Sequence, residues 1–126
     1  MLLSAFLFLS GCLGWKPFQP PPPEFESWSK SGASVLEVKK SMLECGYPSP
    51  YEATRHGDPV NQEEFASMYM CMRSSGFIFS DGGYDFCSRS NELNACKLGA
   101  VAPGRDIEKR LSGPFCHAYP NDPACH

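Results

Sequence analysis

Apolar and polar positions alternate with helical period in two stretches of the chain. Val35, Val38, Met42 and Cys45 recur at spacings of three and four, which lines one face of an α-helix. Ser34-x-x-Glu37 precedes them as a capping box, and Gly46 and Pro48 supply the stop. A helix over about 35–45 is expected. Asn61-x-x-Glu64 opens a second helix in the same way, with Phe65, Met68, Tyr69 and Met72 as its stripe and Gly76 as its end. Met70 falls on the opposite face and is the candidate for an exposed contact. The shared endings Gly46-Tyr47 and Gly76-Phe77 suggest a weak helix–loop repeat.

Elsewhere the pattern is broken. Residues 48–59 read as a loop, and Phe77-Ile78-Phe79 is a short β-favourable run ended by the turn signal Ser80-Asp81-Gly82-Gly83. Short helical turns are expected within 88–97 and 105–111. The tail from Cys116 to His126 contains Pro120 and Pro123 and is expected to be irregular.

The chain has 126 residues, a length that suits one domain with a modest core. A net charge of −3 gives no electrostatic case for nucleic-acid binding. Met1 to Leu9 is almost wholly apolar, too short for the roughly 20 residues of a membrane-spanning helix but matched to the apolar core of a signal peptide. Leu9-Ser10-Gly11-Cys12 follows, and it resembles the lipobox of bacterial lipoproteins. The resemblance implies that the Cys12 thiol carries diacylglycerol, that residues 1–11 are removed, and that the new N-terminus is acylated. Two or more acyl chains hold firmly where one is marginal. No Lys or Arg precedes the apolar run, a departure that an upstream start would explain and that leaves the cleavage site unaffected. Leu13, rather than Asp, follows the cysteine. By the same resemblance the expected location is the outer membrane of the bacterial cell envelope.

Residues 12–27 then form a lipid-anchored, proline-rich linker. Pro20 to Pro23 fix φ and offer no backbone donors, so polyproline II is expected. At ~3.1 Å per residue such a spacer reaches roughly 45 Å. Trp15 and Phe18 suit the lipid interface, and a ligand for an SH3-like module is the alternative use of the prolines. The globular domain is expected over 28–126.

Seven cysteines are present, and assigning Cys12 to the lipid leaves six. Export places them in an oxidising compartment, where an even set reads as disulfides. Six allow fifteen pairings. Cys45 ends the first helix and Cys71 lies on the second, which favours Cys45–Cys71 as the staple of a helical hairpin. Cys87–Cys96 and Cys116–Cys125 then close local loops. The competing use is metal, since Cys116-His117 and Cys125-His126 offer zinc-type ligands. Their spacing matches no finger pattern, and no metal site is expected.

Catalytic patterns are missing. There is no G-x-S-x-G elbow, phosphate-binding glycine loop, C-x-x-C or C-x-x-C-H motif. His56, His117 and His126 all lie in loop or terminal segments, and Asp81 to Asp85 lacks the remaining ligands of a calcium loop. No enzyme activity and no cofactor beyond the acyl groups on Cys12 are expected. Trp28-x-Lys30-x-Gly32 and Cys71-Met72-x-x-x-Gly76-Phe77 are similar to motifs of small proteobacterial lipoproteins; with the lipobox, the similarity covers residues 9–77 and implies no molecular function.

The fold expected is therefore a small, mainly-α, disulfide-stapled domain, a helical hairpin plus a loop-rich C-terminal part, behind a lipidated, proline-rich linker. The function expected is non-enzymatic: an envelope lipoprotein presenting an interaction domain to an envelope or surface protein. The alternatives are a mobile-element lipoprotein, acting in receptor blocking, exclusion or secretion, and a periplasmic enzyme or metal-binding protein.

Overall fold

A computed structural model describes residues 17–55, 57–79 and 85–126. In chain order its elements are β1 (Trp28–Ser29), α1 (Val35–Glu44), β2 (Thr54–Arg55), β3 (Asp58–Pro59), α2 (Gln62–Ser74), β4 (Ile78–Phe79), α3 (Phe86–Arg89), α4 (Ile107–Ser112) and α5 (Pro114–Ala118). Short 3-10 turns at Glu24–Ser27, Asn94–Cys96 and Pro123–Cys125 complete it. Among the described residues no helix is long and apolar enough to cross a membrane. The protein is small and mainly helical, with few strands and three cysteine pairs at disulfide distance.

Both long helices begin and end through local chemistry. Ser34 Oγ accepts from the Glu37 amide at 3.1 Å, and Asn61 Oδ1 accepts from the Glu64 amide at 2.8 Å. At the other ends Gly46 (φ +98°) and Gly76 (φ +90°) take the left-handed conformation. The amides of Tyr47 and Phe77 then reach back to the carbonyls of Met42 and Met72, at 3.0 and 3.1 Å. These are two copies of one glycine-terminated helix end. The two acids of the capping boxes serve distant partners: Glu37 pairs with Arg105 and Glu64 with Arg55.

The main core lies where α1, α2, β1 and the residues after α2 meet. Trp28, Val38, Met42, Tyr47, Met68, Tyr69, Met72 and Phe77 are buried there with Cys45 and Cys71. Trp28 packs on Tyr69 and Phe79 at ring separations of 5.5 and 4.9 Å, and its Nε1–H donates to Tyr47 Oη at 3.3 Å. Strands β1 and β4 pair antiparallel, with Trp28 opposite Phe79. Met70, placed by periodicity on the outer face, is instead half-buried against this core with Phe86 and Cys87. Helix α3 and the turn Asn94–Cys96 pack on α2, and Phe86 and Cys87 cover the face that the stripe left open.

The two motifs at Trp28 and Cys71 interlock. Lys30 Nζ donates to the Ser75 carbonyl at 3.0 Å, capping the end of α2, and stands 5.3 Å from the centre of the Phe77 ring. A Cβ on Gly76 would lie 3.3 Å from Lys30 Cε. Trp28, Lys30, Gly76 and Phe77 thus form one packed joint, which gives these motif positions a structural role.

A second, smaller core gathers Leu43, Phe115, Cys116, Ala124 and Cys125. Leu43, near the end of α1, belongs to this cluster, and ion pairs add to the tie. Glu44 is buried; Arg105 Nε donates to its Oε2 at 2.6 Å and Arg110 Nε stands 3.1 Å from its Oε1. Arg110 Nη1 also donates to the carbonyls of Ala124 and His126, each at 3.0 Å. The tail expected to be irregular is therefore two short helical turns, α5 and Pro123–Cys125, held by a buried guanidinium and a cysteine pair. Pro114 and Pro123 are compatible with this because each starts its turn, where no amide is needed.

Candidate functional site

A hollow of about 490 Å³ runs between the loop after α1 and helix α5. Pro48, Tyr51, Phe115 and Tyr119 form its apolar lining, and Glu52 and Asp122 contribute carboxylates. Its wall on the loop side is built by helix termination. Gly46 turns the chain at the end of α1, the chain bends at Pro48 and Pro50, and the Tyr51 amide donates to Ser49 Oγ at 3.1 Å. The 3-10 turn at Glu24–Ser27 braces this loop from behind. The amides of Glu24 and Phe25 donate to the carbonyls of Tyr51 and Pro50, both at 2.9 Å. Glu24 and Phe25, ahead of Trp28, are thus part of the packed structure.

The opposite wall depends on the cysteine pair Cys116–Cys125, whose Cα atoms are 5.5 Å apart. It ties α5 to the turn Pro123–Cys125, and Asp122 Oδ1 caps that turn by accepting from the Ala124 amide at 2.8 Å. Phe115 is buried and forms the floor, with Tyr51 at 6.0 Å and Tyr119 at 5.2 Å between ring centres. Tyr51 and Tyr119 remain 43% and 60% exposed, so the outer rings of the ladder face solvent. Lys39 steadies the inner end. Its ammonium stands 4.5 Å from the Phe25 ring and 4.7 Å from the Tyr51 ring, and donates to Tyr51 Oη at 3.0 Å. The Tyr51 proton is left available for an acceptor.

Electrostatic shifts elsewhere are structural. Burial raises the Glu24 carboxyl above the ordinary carboxylate range. Burial also raises the Tyr47 phenol, with Glu24 adding to it, and raises Tyr69, whose hydroxyl meets Asp85 Oδ1 at 3.3 Å. Arg105 is raised by the hydrogen bond and charge of Glu44, then of Glu37, against the opposing effect of its own burial. The ladder's lining is suited to recognition by apolar and hydroxyl groups.

The cysteines named from the sequence fall as follows. Cys45 lies beside Cys71 with Cα atoms 5.5 Å apart, joining α1 to α2 in the main core. Cys87 lies beside Cys96 at 5.0 Å, closing the excursion that packs on α2. Cys116 and Cys125 lie at disulfide distance from each other, with Cα atoms 5.5 Å apart. His117 is exposed on α5. Cys12, the rest of the lipobox, His56 and residues 80–84 lie outside the described residues. Asp85 caps α3, accepting from the Cys87 amide at 3.1 Å.

The aromatic groove was not among the sequence expectations, although it left a trace there. Tyr51 follows Pro48 and Pro50, and Phe115 and Tyr119 are four apart between Pro114 and Pro120. That is one helical face bounded by prolines. No protein-family model, curated protein or solved structure matches the chain.

Proposed function

We propose that the protein is a non-enzymatic, lipid-anchored component of the bacterial cell envelope that presents its disulfide-stapled domain to another envelope or surface component. The observation that carries the proposal is the sequence Leu9-Ser10-Gly11-Cys12 directly after a nine-residue apolar run. Lipidation at Cys12 supplies membrane affinity of about 0.8 kcal/mol per buried methylene, so two or three chains anchor without a spanning helix. Three cysteine pairs at bonding distance suit the oxidising side of the inner membrane. The exposed aromatic groove is a surface suited to contact. Leu13 after the cysteine favours the outer membrane as the destination.

The test is metabolic labelling with radioactive palmitate. Label is expected in the wild-type protein and not in Cys12→Ala, while both retain the oxidised domain. Equal labelling of the two, or no labelling of either, would remove the anchor and with it the proposal.

A further inference from the structure

The three cysteine pairs differ in what stands between them and solvent, and we infer that Cys87–Cys96 is a thiol–disulfide exchange site whose reduction by an external dithiol releases residues 85–97 from helix α2. Cys45 and Cys71 are 3% and 0% exposed, and Cys116 and Cys125 are 6% and 7% exposed. Cys87 and Cys96 are only half-buried. Exchange requires a thiolate to reach one sulfur of the pair, so access selects among otherwise similar bonds. To open the way to Cys45–Cys71, α1 and α2 must part. To open the way to Cys116–Cys125, the smaller core that Arg110 holds must open. Neither is required at Cys87–Cys96.

The segment that this pair closes is a cover with little else to hold it. Its ordered parts are α3, of four residues, and the turn Asn94–Cys96, of three, lengths that do not persist in water by themselves. Cys87 belongs to the first and Cys96 to the second, so the bond fastens the two parts to each other. Against α2 the cover places the Phe86 ring, 5.0 Å from Phe65 and 5.6 Å from Tyr69. The Asn94 amide donates to both carboxylate oxygens of Glu63, at 3.2 and 3.0 Å, and Tyr69 Oη donates to Asp85 Oδ1 at 3.3 Å. Within residues 85–97 only Leu93 is buried.

The step is a two-stage exchange. A thiolate of the dithiol attacks one sulfur of the pair; a mixed disulfide forms, the S–S bond breaks, and the other cysteine leaves as its thiolate. The second thiol of the reductant then displaces the first cysteine and closes the reductant's own disulfide. The protein gains two electrons and two protons, and the dithiol loses them. Reduction opens a closure of nine residues, so the released state of the cover regains its chain entropy. Against that stand one half-buried ring, one buried leucine and hydrogen bonds near the surface. The cover then leaves α2 and bares Phe65, Tyr69 and Met70, while Cys45–Cys71 keeps α1 and α2 together. The device converts the redox state of the surroundings into an apolar face, with the oxidised, covered form as the resting one.

The experiment uses the full chain carrying Cys12→Ala, with its six other cysteines oxidised, so that neither a lipid nor a seventh thiol enters the result. The protein is treated with graded concentrations of dithiothreitol, quenched and alkylated, and the modified cysteines are mapped by peptide mass. Cys87 and Cys96 are expected to react together, about tenfold faster than the other four. In the protein so reduced, amide exchange is expected to accelerate within residues 85–97 while α1 and α2 stay protected. Binding of an anilinonaphthalene dye is expected to rise with reduction and to fall on reoxidation. Cys87→Ser combined with Cys96→Ser is expected to bind the dye without any reductant. Reduction of either other pair at an equal or faster rate would overturn the inference. So would a reduced pair beneath a cover that keeps its protection, a loss of protection that spreads through α1 and α2, or a double serine variant that binds no dye. None of these outcomes bears on palmitate incorporation at Cys12, so the two readings are separable.

Discussion

The half of the molecule around Trp28 and the half around Phe115 are stabilised in different ways. The first has two helices of 10 and 13 residues with capped starts and glycine ends, joined by a core of aromatic and methionine side chains. The second has helices of six and five residues and a five-residue cluster. Isolated helices that short do not persist in water. What orders them is a buried guanidinium bridging Glu44 to two carbonyls, and a cysteine pair closing nine residues of sequence. A second core of only five residues can still position a wall of the groove when such connections add to its apolar area.

The comparison can be broken at its strongest point. Trp28→Ala removes the centre of the main core and is expected to destabilise the whole domain by about 3–5 kcal/mol, read by denaturant titration. Amide exchange should accelerate in both halves, because α4 and α5 dock on the end of α1. A shift below about 1 kcal/mol, or protection lost only near residue 28, would show that the halves stand independently.

The cysteine pairs separate the halves more finely. Replacing Cys45 and Cys71 together by serine frees a long loop, and the chain-entropy relation gives about 3.5 kcal/mol, spread over the domain. Replacing Cys116 and Cys125 together frees a short one, about 2.7 kcal/mol by the same relation. Its loss of exchange protection is expected to stay within residues 107–126, where the groove's wall unravels. Uniform deprotection by the second pair would contradict the division.

A smaller effect distinguishes the two glycine ends. Both Gly46→Ala and Gly76→Ala force a side chain into a left-handed backbone, at about 1–2 kcal/mol each. Gly76→Ala should be the worse, since its Cβ would press on Lys30, whereas at Gly46 the nearest atom is Met68 Cγ at 3.9 Å. Equal melting temperatures for the two variants would argue against the Lys30 joint. The gentlest departure is with pH. The buried phenols of Tyr47 and Tyr69 titrate above their unfolded values, so the native state keeps protons that the unfolded chain releases. Stability should be complete near neutral pH and decline as pH rises past about 10. Tyr47→Phe should flatten that decline, and an unchanged alkaline slope would count against it.

The long helices were legible in the sequence because their signals are local. Ser34, Asn61, Gly46 and Gly76 act within four residues of where they stand. The cysteine pairs at Cys87 and Cys96, and at Cys116 and Cys125, lie nine residues apart, which loop length alone makes favourable. What was hidden depends on distant partners. Nothing near Arg110 announces that it will be buried against Glu44, since arginine is ordinarily a surface residue. Strands β2 and β3 have two residues each and no alternating pattern to read. Met70 looked external because its covering segment comes more than ten residues later. The groove joins Tyr51 to Phe115 across 64 positions of sequence, and only the fold brings those rings together.

Intact-mass spectrometry of the protein released from membranes tests the central claim, a lipid-tethered and internally stapled module, most directly. The account predicts a chain that begins at Cys12 and is heavier than its peptide by diacylglycerol and an acyl group. It should take up no thiol-alkylating reagent before reduction and six equivalents after it, one for each of the paired cysteines. A chain that still begins at Met1 without lipid, or one that alkylates at any of the six without reduction, would contradict it.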